Sequence, residues 1–182
     1  QSYFNLNIID NIKSTGLPLF YDELSYGGRA VIVQPLFHYL FAILSFIPFY
    51  FIIFPALLIS SLVLITYFIA KEITNDENSS LFTALLAGFV PIYSKVLINQ
   101  FSVYTLVLPL IAFMLLCFIK LENKKFLKWF LISAFLLSLT HPSSFLFLFI
   151  LLFYVLLMNV ENLKLTKLKR ETLLFSFFLI FL

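Results

Sequence analysis

Apolar residues arrive in long blocks along this chain, and the blocks are interrupted at charges, prolines and capping residues. A membrane-spanning helix needs about 20 such residues at roughly 1.5 Å of rise each. Cutting the blocks at their interruptions predicts spans near 51–70, 80–94, 102–119, 126–140 and 143–159, with a sixth beginning near 172. The second and fourth are short, and need flanking residues or local thinning of the bilayer to cross it. From Pro35 to Ala70 no charged residue occurs over 36 positions. As one helix that stretch would reach about 54 Å, well beyond the roughly 30 Å of hydrocarbon. Pro48 and Pro55 are the expected breaks, leaving PLFHYLFAILSFI as a tight span or as an interfacial or re-entrant helix near 36–48. Upstream of Leu81, NDENSS supplies Ser/Asn caps, and Pro142 reads as the first position of a new helix.

Ahead of the apolar blocks, Phe4, Ile8, Ile9 and Ile12 recur at helical spacing, with Asn5, Asn7, Asp10 and Asn11 turned elsewhere. Gly16 and Pro18 end that pattern. The expectation is an amphipathic helix resting on the membrane surface, then a polar loop from Leu17 to Gln34. Residues 1–34 thus form one unit and residues 35–182 a transmembrane helical region.

Charge placement adds sidedness. Alternating through the spans, the loops 71–79, 120–128 and 160–171 share one side and hold nine cations: Lys71, Lys120, Lys124, Lys125, Lys128, Lys164, Lys167, Lys169 and Arg170. The opposite loops, 95–101 and 141–142, hold only Lys95. The first set is therefore expected to be cytoplasmic. Residues 1–34 are external if the 36–48 piece does not span, and cytoplasmic if it does.

Composition agrees with a bilayer. The chain is 62% hydrophobic with only 12% charged residues, and a water-exposed surface needs about twice that charge. A soluble domain is excluded. The net charge of +3, localised in Lys-rich loops, argues against a nucleic-acid partner and for topological signalling in an integral, multi-pass protein, with a prokaryotic cell membrane as the expected location. Cys117 stands alone, so no disulfide framework exists. The chain opens on Gln1 without a basic leader and ends inside the apolar LLFSFFLIFL, which reads as a fragment lacking a first span and a C-terminal part.

Candidate chemistry clusters in LPLFYDELSYGGRAVIVQPLFHYL. Asp22 and Glu23 adjoin a Gly-Gly turn and Arg29. In a loop, one carboxylate can face a substrate as general base or metal ligand while the other pairs with Arg29; a hydrated loop with an internal salt bridge is the plainer reading. Arg29 has the planar fork that suits phosphate, and equally suits a lipid headgroup. His38 could bind phosphate or shuttle a proton, or be a satisfied interfacial histidine. Asp10 is a further acidic candidate on the first helix. Lys95 and His141 fall at span ends on one side, where each could face a lipid phosphate, or snorkel or cap. Tyr39, Tyr50, Tyr93 and Tyr104 fit an interfacial belt. No Asp, Glu, Lys or Arg lies in the middle of a predicted span, which weighs against an ion-coupled transporter.

The succession of a Ser-Tyr-Phe opening, GLPLFYDELSYGGR, QPLFHYL, a span ending AKEIT, another ending Pro-Ile-Tyr and a later Leu-Thr-His-Pro resembles the membrane glycosyltransferases of the GT-C superfamily. That superfamily includes the catalytic subunits of oligosaccharyltransferases and the protein mannosyltransferases. The resemblance implies an all-α, polytopic enzyme that transfers a sugar from a polyprenyl-phosphate-linked donor to an acceptor on the external or lumenal face, among membrane lipids. It places residues 1–34 in the first external loop and makes the 36–48 helix interfacial. The family's acidic residue stands just ahead of an aromatic pair, where this chain has Gln1 and Ser2 before Tyr3 and Phe4; the next external loop, YSKVLINQFS, has no carboxylate. Asp22, Glu23 and Asp10 are therefore the catalytic candidates, and Arg29, His38, Lys95 and His141 the substrate-binding ones. A divalent cation such as Mg2+ or Mn2+ is an open expectation. The alternatives are a transporter or flippase, or a noncatalytic relative.

Overall fold

A computed structural model describes residues 2–22, 26–32, 34–90, 101–121, 123–161 and 167–181. Eight helices appear among them. Helix α1 (Ser2–Thr15) is followed by a hairpin of two short strands, β1 (Tyr21–Asp22) and β2 (Arg29–Ala30). The long helices begin after α2 (Leu36–Leu44): α3 (Tyr50–Thr74), α4 (Glu77–Gly88), α5 (Tyr104–Ile119), α6 (Lys124–Thr140), α7 (Ser144–Val160) and α8 (Lys167–Phe181). Each segment expected as a span overlaps a helix among the described residues, although residues 91–94 of the second lie outside them. Of these, α3 alone is long and apolar enough to cross a membrane by length and composition, while α5 and α7 are shorter apolar helices.

Helix α3 packs against α4 and α5, α5 against α6, and α8 against α6 and α7. Its most apolar window is nevertheless only 17% buried within the protein. Leu57, Leu64 and Phe68 on α3, Leu81, Phe82 and Leu85 on α4, and Phe149, Phe153 and Leu157 on α7 are all exposed. A protein with water as its solvent does not present apolar surface on that scale; lipid is the solvent this surface fits. Val107, Met114, Phe130, Leu137 and Phe147 form the interior between α5, α6 and α7.

Two ends of the bundle are chemically distinct. At one, Lys120 Nζ lies 2.8 Å from Glu72 Oε2, which joins the last turn of α3 to the end of α5; Asp76 caps α4 there, its Oδ2 accepting the Ser79 amide at 2.8 Å. Of the three loops read from sequence as sharing one side, 71–79 and 120–128 meet at this end through the Glu72–Lys120 pair, and residues 162–166 of the third, 160–171, lie outside the described residues. The other end carries α1, the hairpin and α2, with Phe37 and Phe41 of α2 packed against Phe101, Tyr50 and Phe54.

Several boundaries differ from expectation for identifiable reasons. Pro48 does break the chain, and Phe49 adopts a left-handed conformation (φ 59°) beside it. Pro55 does not, because it falls in the second turn of α3, where its missing N–H costs a single helical bond. The cap of α4 is Asp76 rather than Ser or Asn, and the helix starts at Glu77. Pro142 lies one residue ahead of Ser143, the N-cap of α7, instead of at the first helical position. The polar loop is no featureless connection: an antiparallel ladder sets Tyr21 opposite Ala30 and Asp22 opposite Arg29. The most informative difference concerns α1. Ile8, Ile9 and Ile12 are buried against protein, packing with α2 and Val31. Asn5, expected on the polar side, is buried on that same face.

Candidate functional site

The hairpin and α1 enclose an open cleft of about 620 Å³ lined by Tyr3, Phe4, Asn7, Asp10, Asp22 and Arg29. Three of the residues singled out in the sequence therefore meet. The ladder places Asp22 and Arg29 directly across from each other, with Arg29 Nε 3.8 Å from Asp22 Oδ2. Asp22 is the shielded partner, its side chain only 10% exposed against 62% for Arg29. The Arg29 guanidinium also lies over the Phe4 ring, 5.3 Å from its centroid. An arginine has five N–H donors, so an exposed guanidinium holding one carboxylate and one ring face keeps donors for a phosphate. Asp10 is solvent-exposed and 3.9 Å from Lys13. Glycine at the turn is required by the backbone: Gly27 and Gly28 have φ of 78° and 67°, and a Cβ on Gly28 would run into the Tyr21 side chain.

A second cavity, of about 300 Å³, adjoins the cleft at Phe4, which lines both. Its polar lining comes from Asn5, Gln34, His38, Ser102, Thr140 and His141, drawn from α1, the approach to α2, the approach to α5 and the junction of α6 and α7. None of these side chains is formally charged at neutral pH. A buried hydrogen-bond chain builds the floor. Phe101 N–H donates to Ser2 Oγ at 3.1 Å, Asn5 Nδ2 donates to the Phe101 carbonyl at 2.8 Å, and Asn5 Oδ1 faces His38 Nε2 at 3.2 Å.

That chain fixes the His38 ring. With Asn5 Nδ2 committed to a carbonyl, Asn5 Oδ1 can only accept, so His38 Nε2 must carry a proton. Burial lowers the His38 pKa, against a smaller upward pull from the Gln34 backbone carbonyl, and the ring is neutral. Nδ1 is then a lone-pair acceptor; the Gln34 carbonyl is not in hydrogen-bond geometry with it, and it has no partner among the described residues. His141 is fixed the opposite way round. Its Nδ1 accepts the Ser143 amide at 3.0 Å, which leaves the hydrogen on Nε2 of the neutral ring. Desolvation lowers its pKa too, and the ring packs on Tyr104 with centroids 4.9 Å apart.

The seven candidate residues thus divide. Asp10, Asp22 and Arg29 share the charged cleft, His38 and His141 share the neutral cavity, and Glu23 and Lys95 lie outside the described residues, as does Tyr93. Asn5, Gln34, Ser102 and Thr140 were not anticipated from sequence. For Asn5 a signal existed: positions 5, 8, 9 and 12 form one helical stripe, and a polar residue on an otherwise isoleucine stripe marks a buried hydrogen bond.

The class of protein is that of the membrane glycosyltransferases: the sequence model of the dolichyl-phosphate-mannose-protein mannosyltransferase family matches residues 30–182. The chain belongs to that family, which is of the GT-C type. No curated protein and no solved structure matches it. The matched stretch holds Gln34, His38, Ser102, Thr140 and His141, and begins one residue after Arg29.

Proposed function

We propose that this chain forms part of a multi-pass membrane enzyme that transfers a sugar from a polyprenyl-phosphate donor to a hydroxyl acceptor at the external face, with Asp22 and Arg29 at the reacting centre. The observation that carries this reading is the meeting of Asp10, Asp22 and Arg29 in one open cleft at the bundle end away from the lysine-rich loops. The positive-inside rule makes that end external, where the cleft meets the headgroup layer and α2 lies at the interface.

In the proposed step the acceptor hydroxyl attacks the anomeric carbon, the bond from that carbon to the phosphate oxygen breaks, and its electron pair leaves with the polyprenyl phosphate. Asp22 orients the hydroxyl and takes its proton, as a carboxylate within reach of the acceptor would. Arg29 neutralises charge developing on the departing phosphate, and Lys95 is a candidate for the same role. The cleft's oxygen donors, Asp10 and Asp22, are of the kind a hard cation such as Mg2+ or Mn2+ takes, although no group of three or more ligating side chains occurs among the described residues. A cation held there would neutralise the donor phosphate.

The test is sugar transfer in membranes containing the full-length protein, from a radiolabelled polyprenyl-phosphate sugar. Asp22→Asn should lower the rate about 10²-fold or more. Full transfer by a variant with both Asp22 and Glu23 changed to Ala would remove the carboxylate from the mechanism.

A further inference from the structure

We infer that the neutral cavity beside Phe4 is a subsite for one monosaccharide ring, read by His38 Nδ1 as hydrogen-bond acceptor and by His141 Nε2–H as donor. This rests on the glycosyl-transfer reading and adds to it the place and the polarity of sugar recognition.

Four observations support it. First, the cavity volume of about 300 Å³ is at the small end of ligand sites, too large for one or two structural waters and too small for a polyprenyl chain. Second, His38 is 1% exposed, yet one of its ring nitrogens has no partner among the described residues. A buried acceptor left without a donor carries a desolvation penalty, which a ligand hydroxyl donating to Nδ1 would offset. Third, both imidazoles have their tautomers set from behind, one by Asn5 and one by the Ser143 amide. The cavity therefore offers an acceptor and a donor that do not interchange. A hydroxyl both donates and accepts, so a polyhydroxylated ring can satisfy both at once, whereas a phosphate has only acceptors for His38 to oppose. Fourth, the walls between these polar groups are Phe4, Tyr104 and Pro142, flat or apolar surfaces against which the C–H face of a sugar ring can rest. With no charged group in the described lining, the cavity selects a neutral ligand, and Arg29 in the adjoining cleft is left for the phosphate.

The experiment uses the full-length protein in lipid nanodiscs, titrated with D-mannose, D-glucose, D-galactose and N-acetyl-D-glucosamine and read by saturation-transfer NMR of the sugar. Two variants isolate the two contacts. His38→Gln keeps an N–H at the Nε2 position for Asn5 and deletes the Nδ1 acceptor; His141→Asn keeps an oxygen for the Ser143 amide and deletes the Nε2–H donor. Each should weaken binding of the preferred sugar about tenfold, the value of one neutral hydrogen bond. Equal binding by the wild type and both variants overturns the inference, as does the absence of a saturable signal from every sugar.

Kinetics separate this inference from the one beneath it. Transfer that requires Asp22 but shows unaltered kcat and KM in both histidine variants overturns the subsite and leaves the transferase standing. Sugar binding lost in the variants, by a protein that transfers nothing from a polyprenyl-phosphate donor, keeps the subsite and removes the transferase. Where both hold, a raised KM for the donor assigns the ring to the sugar being moved, and a raised KM for the acceptor assigns it to a sugar already on the acceptor.

Discussion

Asp22 and Arg29 stand opposite each other in the hairpin ladder, so the backbone register sets their pairing before any side-chain rotamer is chosen. The shielded carboxylate faces an exposed guanidinium, and only the latter is free to follow a substrate. Arg29→Lys retains a charge but loses the planar fork. It should raise the donor KM severalfold with little change in kcat, whereas Asp22→Asn should lower kcat; steady-state transfer assays on the two variants check this division.

The hairpin turn offers a second comparison. Gly27 and Gly28 both have positive φ, but an added Cβ meets open space at Gly27 and the Tyr21 ring at Gly28. Gly27→Ala should cost about 1 kcal/mol for the left-handed backbone alone. Gly28→Ala should cost more, and should open the hairpin to limited proteolysis. Combining it with Tyr21→Ala should restore protection to the level of Gly27→Ala.

Asn5 holds two partners, the Phe101 carbonyl and His38 Nε2. Asn5→Leu leaves a buried acceptor and a buried donor without partners, worth about 1–3 kcal/mol each. Thermal unfolding in detergent should show a clearly lowered Tm, larger than that of Asn7→Leu, whose parent side chain is only partly buried.

The histidines impose a pH dependence with a defined sign. Both have folded pKa values below the ordinary 6.5, so below 6.5 the unfolded state binds more protons than the folded one. Their contribution to stability is complete above 6.5 and is lost as pH falls through the lowered folded values. The Tm should decline on acidification from neutral pH, and the decline should be shallower in a His38→Gln, His141→Asn double variant.

Sidedness is open to direct labelling. In a background with Cys117→Ala, a cysteine at exposed Gly16 should react with an impermeant maleimide on intact cells. A cysteine at Asn75 should react only after permeabilisation. The reverse pattern would place the cleft in the cytoplasm.

Much of the helical framework was legible because an apolar helix shows itself by the length of its apolar block, and α3 through α8 follow the blocks cut at charges and prolines. Pairing within the polar loop was half legible: Asp22, Glu23 and Arg29 stood out, but the ladder that selects Asp22 depends on hydrogen bonds that periodicity does not report. The histidine cavity was least legible. It brings Asn5 to Phe101 across 96 positions and to His38 across 33, and no local pattern encodes such distances. Even the stripe through Asn5, Ile8, Ile9 and Ile12 indicates only that Asn5 is covered, not by what.

The span from Ser2 to Thr140 also imposes an order of assembly. Ser2 and Asn5 are gripped by Phe101, and the cavity wall closes only with Thr140 and His141 at the junction of α6 and α7. At roughly 5–20 residues per second of synthesis, α1 waits about 5–20 s for Phe101 and longer for His141. For the later part of that interval, once α2 has been made, its isoleucines have α2 to cover them, so the first helix can dock early while the chamber it floors is completed last.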